Sequence, residues 1–163
     1  MYLTYLVENY QKLPMIIAFV HPHKCTYPQA WHTDAESHSN VESLTSLNTS
    51  FFLSNGYANL RCIAIPGYPD ENQPFREEHR EGRSAEHAFG DAWNQMFENN
   101  GVPKVVDTPC CAHFAVSRDQ VHKRPLEFYV GALRWLHDTP LDDATSGRVF
   151  DYLWHVIFGQ DSV

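Results

Sequence analysis

The chain of 163 residues lacks any apolar run close to the ~18 residues that a membrane-spanning helix needs, so no span is expected. Its first residues carry no basic-then-apolar leader pattern, which points to the cytosol for the product as written. Positive charge is sparse. Twelve Lys and Arg stand against twenty Asp and Glu, for a formal net charge of −8. With no basic stripe to neutralise phosphates, nucleic acid is excluded as a partner. Cysteine is scarce too: Cys25, Cys62, Cys110 and Cys111 are too few for a disulfide scaffold. The adjacent pair lacks the C-x-x-C spacing of zinc ribbons and thioredoxin-like sites, so these residues read as buried thiols. In a secreted product, Cys62 joined to Cys110 or Cys111 is the bridge to look for. No G-x-x-x-x-G-K-[ST], G-x-G-x-x-G or G-x-S-x-G occurs, which removes support for a P-loop, a Rossmann cofactor site or a serine nucleophile.

What is present fits one globular domain over residues 1–163. Apolar residues make up 43% and aromatic residues 13%, enough for a real core. The opening Tyr2–Tyr10 segment places Leu3, Leu6, Val7 and Tyr10 on one helical face, ended by Pro14. A helix that begins at the first residue without a cap leads to the expectation of further chain upstream. Residues 15–20 read as a strand that is apolar throughout. A helix of about a dozen residues follows with Val41, Leu44, Leu47 and Phe51, closed by Gly56. Short strands are expected over 57–65, 102–106 and 111–116, and an exposed Pro/Gly-rich charged loop over 66–84. Further helices are expected over 85–99, after Pro125 and from about Ser146, with Ser117 capping a short turn and Gly159 stopping the last. The fold class is therefore α/β: a small three-layer-like domain with three to four short strands and about five helices.

Chemistry concentrates where the first strand runs out. His21-Pro22-His23 follows Met15–Val20 directly, and Trp31-His32-Thr33-Asp34 comes shortly after. Imidazoles on a turn after a strand suit a divalent metal, with His21, His23 and His32 as ligands and Asp34 as an oxygen donor. Such histidines also occur simply as surface residues of a polar loop. Far downstream, Asp151 and His155 are four apart on a predicted helix and share a face. A carboxylate so placed can fix the tautomer and raise the basicity of the imidazole, making this pair the catalytic candidates. Arg61, Arg118 and Trp31 are candidate substrate contacts, the two cations being equally suited to structural ion pairs. His113 reads as a core or hydrogen-bonded histidine.

Several segments in order then form a pattern: Y-L-T-Y-L-V-E-N-Y-Q-K-L-P, F-V-H-P-H with W-H-T-D, G-Y-A-N-L-R-C, C-C-A-H-F-A-V-S-R with R-P-L-E-F-Y, and G-R-V-F-D-Y-L-W-H-V-I-F-G. Together they resemble the family described as domain of unknown function 3431, abundant in filamentous fungi. The resemblance implies an upstream segment with a membrane anchor or signal, hence a secretory location if this chain is shortened, and a Glu more often at the place of Asp151. It also implies an order of elements similar to A-type glycosyltransferases, so that this chain would hold an incomplete fold of that type. On that analogy His21 and His23 occupy the metal-motif position, and Asp151 and His155 supply the late acid and ligand.

Three functions follow as expectations. The first is a glycosyltransferase-like enzyme with a divalent metal (Mn, Zn or Fe) on His21, His23 and His155, acting on a small-molecule substrate. The second is a non-catalytic remnant that binds a partner or itself through exposed apolar surface. The third is a tailoring enzyme of fungal secondary metabolism.

Overall fold

A computed structural model of the chain describes residues 1–22, 33–64, 72–78, 80 and 82–163. Among these, seven α-helices and three strands form a mixed α/β domain. Helix α1 (Tyr2–Asn9) buries Leu3 and Leu6, tightens into a 3-10 turn over Tyr10–Lys12 and stops before Pro14. Strand β1 (Ile16–Phe19) is not buried throughout: Ile17 and Phe19 face the core while Ile16 and Ala18 are exposed. The cause is coverage: the small core on the second face, Phe52 with Ala58 and Ala115, reaches the other two strands of the described sheet but not β1.

The single helix expected over the next segment is two, α2 (Asn40–Thr45) and α3 (Thr49–Asn55). Ser39 accepts a hydrogen bond from the Glu42 N–H and Asn48 accepts one from the Phe51 N–H. The Asn48 side chain starts a new helix instead of continuing the old one, as short polar side chains do when they compete for backbone donors. Gly56 closes α3 at φ 73°, the left-handed conformation its position requires.

Strand β2 (Tyr57–Asn59) is shorter than expected, and the strand expected at 102–106 contracts to one bridge between Val106 and Asn72. Asn72 is buried although it lies in the segment expected to be exposed. Helix α4 (Ser84–Phe97) buries Phe89, Ala92, Trp93 and Met96. Strand β3 spans Phe114–Ser117, three residues later than expected, since positive φ at Cys111 and Ala112 excludes an extended start. Ser117 caps α5 (Arg118–Val121), and α6 (Leu126–Asp138) follows Pro125. Helix α7 (Asp143–Ile157) begins earlier than Ser146, because the Asp142 carboxylate accepts the Thr145 N–H at 2.7 Å.

The strand order is β1-β3-β2 and both pairs are antiparallel, with Ile17 and Tyr57 each opposite Val116. One face carries Ile17, Phe19, Tyr57, Phe114 and Val116 and packs under helices α1, α4, α6 and α7. Phe114 is its centre: the rings of Phe19, Tyr57, Trp154 and Phe158 lie 5.2, 5.5, 5.4 and 5.5 Å away. Fully burying one such side chain stabilises the fold by about 1.5–3 kcal/mol. The opposite face has a smaller core of Phe52 from α3 against Ala58 and Ala115. Helices, sheet and helix thus make three layers. Because β1 and β2 both run against β3, their ends meet the start of β3 at one end of the sheet, and His21 lies there.

Candidate acid–base site

His21 follows β1 at that end of the sheet and is held by its backbone. Its N–H donates to Nε2 of His113 at 3.0 Å, and its carbonyl accepts from Nδ2 of Asn40 at 3.1 Å. Asn40 is itself buried and its Oδ1 accepts the Thr33 hydroxyl at 3.2 Å. The rings of His21 and His113 meet edge to face with centres 4.6 Å apart. Since Nε2 of His113 accepts, its proton sits on Nδ1, and the acceptor nitrogen is spent on the backbone instead of a metal. His113 is thus the hydrogen-bonded histidine expected, though it precedes β3 and does not lie within it.

Beside His21 opens a groove of about 280 Å³. Tyr2 of α1, Phe150, Asp151 and Trp154 of α7, and Ala112 complete the walls that matter here. Helical spacing puts Phe150 and Trp154 on the turn flanking Asp151, so an apolar wall surrounds one carboxyl. Burial pushes that carboxyl up to about 6, partly offset by the Arg148 guanidinium, whose Nε lies 4.0 Å from Oδ2. Burial, followed by the negative charge of Asp151, raises the Tyr2 phenol to about 12. Tyr2 therefore remains a proton-bearing donor at any ordinary pH. The groove combines a carboxyl that changes charge near neutrality, a phenol that does not, and two aromatic walls for an apolar portion of a ligand.

The other sequence candidates scatter. His155 is only 6% exposed and both ring nitrogens are buried without a hydrogen bond of sound geometry. No hydrogen bond or ion pair joins it to Asp151, so the expected carboxylate–imidazole pair is not formed. Burial, partly offset by the backbone at Ser162, pushes its imidazole down to about 4. Arg61 is buried beyond β2, with Asp34 beside it; burial lowers its pKa and Asp34 opposes that shift. The Asp34 carboxylate accepts the backbone N–H groups of Cys62 and Ile63, so it fastens a loop. Both residues line a separate cleft of about 740 Å³. Arg118 lies at the opposite end of β3, exposed and paired with Asp119 at 3.7 Å. His23, Trp31 and His32 lie outside the described residues, and among the described residues no three His, Cys, Asp or Glu side chains converge as metal ligands. Cys110 and Cys111 are bonded to each other and not to Cys62, which is a free exposed thiol. The buried-thiol expectation fails for all three, because adjacency and the turn at Cys111 bring the first two sulfurs together while Cys62 faces solvent.

With the groove assembled from segments spread over the whole chain, the relevant comparison is one that covers the whole chain. A model of the family described as protein of unknown function (DUF3431) matches residues 1–163. The chain belongs to the DUF3431 family. No curated protein and no solved structure matches it. Of the residues lining this groove in the DUF3431 member, the sequence singles out His21 and Asp151 as candidates but not Tyr2, Phe150 and Trp154. Their only signal was aromatic character at helical spacing, which core residues share.

Proposed function

We propose that this protein is an acid–base enzyme acting on a small organic molecule with an apolar portion, and that Asp151 moves the proton. The supporting observation is the convergence of Tyr2, His21 and Asp151, from three distant elements, on one aromatic-walled groove. A carboxyl poised near neutrality serves as donor or acceptor at working pH. The Tyr2 hydroxyl supplies a hydrogen bond to an oxygen that gains negative charge during the reaction. His21, clamped at its N–H and carbonyl, borders the same space. The glycosyltransferase-like reading draws no support from a sheet whose described pairs are all antiparallel.

The test is a metabolite-library incubation read by mass spectrometry, with Asp151→Asn as control, alongside a carbon-detected NMR titration of the Asp151 carboxyl. Turnover by the native chain that Asp151→Asn lacks, with a carboxyl titrating near 6, supports the proposal. A carboxyl titrating at its ordinary value near 4 removes it.

Self-association is a second reading, favoured by one observation. Ile16 on edge strand β1 and Met15 just before it are exposed, beside an apolar groove of about 440 Å³ bordered by Tyr5 and Pro14. Light scattering decides it: a concentration-independent monomer mass excludes this reading.

A further inference from the structure

Cys110 and Cys111 are neighbours in the chain and are bonded to each other through their sulfurs. Adjacency makes the S–S bond close a small ring that contains the Cys110–Cys111 peptide. The φ rotation of Cys111 belongs to that ring, so ring closure restricts it. This rotation stands at 86°, and Ala112 follows at 46°. Two successive left-handed residues without a glycine are costly, since the Cβ of an L-residue crowds the following carbonyl there. A disulfide between neighbours also closes the shortest loop possible, so it restricts the unfolded chain far less than a long-range bridge does. Its effect falls on the local backbone.

Both sides of this turn are fixed. Before it, the Asp107 N–H donates to the Ser162 carbonyl at 2.8 Å, and the Asn59 amide donates to the Thr108 hydroxyl at 3.3 Å. After it, the His113 carbonyl accepts the Leu60 N–H at 2.8 Å and β3 begins. Residues 109–112 are therefore the part that an open ring would free. Ala112 is a wall of the Asp151 groove, and His113 Nε2 holds the His21 N–H beside it at 3.0 Å. Two residues of the groove thus take their place from the turn: Ala112 directly, His21 through His113. Cys110 and Cys111 are only half-buried, at the surface where a dithiol can approach.

We propose that the Cys110–Cys111 bond is a redox switch that holds the shape of the Asp151 groove when oxidised and releases it when a dithiol reduces it. A thiolate of the reductant attacks one sulfur, forming a mixed disulfide as the Cys110–Cys111 bond breaks. The second thiol of the reductant then displaces the bound cysteine. Two electrons and two protons pass to the protein, so the cysteines end as two thiols and the reductant as a disulfide. With the ring open, Cys111 returns to negative φ, which shifts Ala112 and loosens the hold of His113 on His21. Control of turnover by this bond rests on the acid–base reading of the groove; the change of shape does not.

The experiment is amide hydrogen exchange by NMR on the full chain, oxidised and then reduced with dithiothreitol, and on Cys62→Ser treated alike. The Ser117 N–H, which donates to the Gly56 carbonyl at the far end of β3, is the control. Reduction should speed exchange at His21 roughly tenfold, the effect of weakening one hydrogen bond, and leave Ser117 unchanged. Reoxidation should reverse it. Cys62→Ser should respond as the native chain does, because the free Cys62 thiol takes no part. The double variant Cys110→Ser/Cys111→Ser should match the reduced form; if it does not fold, reduction of the native chain carries the test. His21 exchange unchanged by reduction, or a response lost in Cys62→Ser, overturns the switch. Equal loss of protection at His21 and Ser117 overturns it too, since the bond is then a staple for the whole sheet. No turnover by either redox form, with the His21 response present, removes the acid–base reading and leaves the switch standing.

Discussion

Asp151 and His155 stand one turn apart on α7, and burial drives their proton affinities past each other. The carboxyl is pushed up to about 6 and the imidazole down to about 4. With ordinary values near 4 and 6.5, both would be charged across the interval between them. In the folded protein both are neutral across most of it. Spacing alone suggests an ion pair here, and the fold makes two neutral groups that do not touch.

Their pH effects on stability consequently oppose each other. Between about pH 4 and 6 the folded chain holds a proton on Asp151 that the unfolded chain has released, so this group makes stability fall as pH rises. His155 has the reverse sign: between about pH 6.5 and 4 the unfolded chain takes up a proton that the folded chain refuses, so stability falls as pH drops. Asp151→Asn should therefore leave stability that rises with pH over this window, and His155→Leu stability that falls. Each change is on the order of 2 kcal/mol, and less for Asp151, whose side chain is 28% exposed. Urea unfolding across about pH 4 to 7 checks this, and two single variants with slopes of the same sign would reject it.

Gly56 and Gly82 offer a matched pair. Both have positive φ, 73° and 80°, but a Cβ on Gly56 would meet Gln120 Oε1 at 2.6 Å, while a Cβ on Gly82 meets nothing within 4 Å. Gly82→Ala should cost only the conformational strain, about 1 kcal/mol. Gly56→Ala should cost more, since the Gln120 amide must also leave its hydrogen bond to the Phe158 carbonyl. Denaturant midpoints of the two variants, measured side by side, give the comparison.

The cysteine chemistry is checked without mutation. Non-reducing peptide mapping after alkylation should find Cys62 labelled, and the peptide containing Cys110 and Cys111 unlabelled and lighter by two hydrogens than its reduced form. A cross-link from Cys62 to Cys110 or Cys111 would contradict the fold here.

The metal expectation rests on His21, which borders the groove, and on His23 and His32, which lie outside the described residues. A thermal-shift titration with EDTA, then Mn²⁺, Zn²⁺ and Fe²⁺, should show selective stabilisation that is lost in His21→Ala, His23→Ala and His32→Ala if these three are the ligands. His155→Ala should leave any such response in place, because His155 is buried and is not among the groove walls.

Local rules made much of this protein readable. Gly56 and Gly159 stop helices, Ser117 caps one and Pro14 ends one, because each depends only on backbone sterics and neighbouring hydrogen bonds. The histidine group after β1 and the acid on α7 stand out for the same reason, as residue types in unusual local company. The sequence determined that these chemical groups exist and on which element each sits. Tertiary structure decided the rest. Asn48 splitting one helix into two, the contraction of the 102–106 strand to a bridge, and the antiparallel order β1-β3-β2 each turn on long-range partners or competing hydrogen bonds. The same holds for the site: Tyr2, His21 and Asp151 share a groove only because α1 and α7 pack on the face of the sheet whose edge β1 forms. Asp151 and His155 differ in protonation from their ordinary values because burial, which no spacing records, sets the cost of charge.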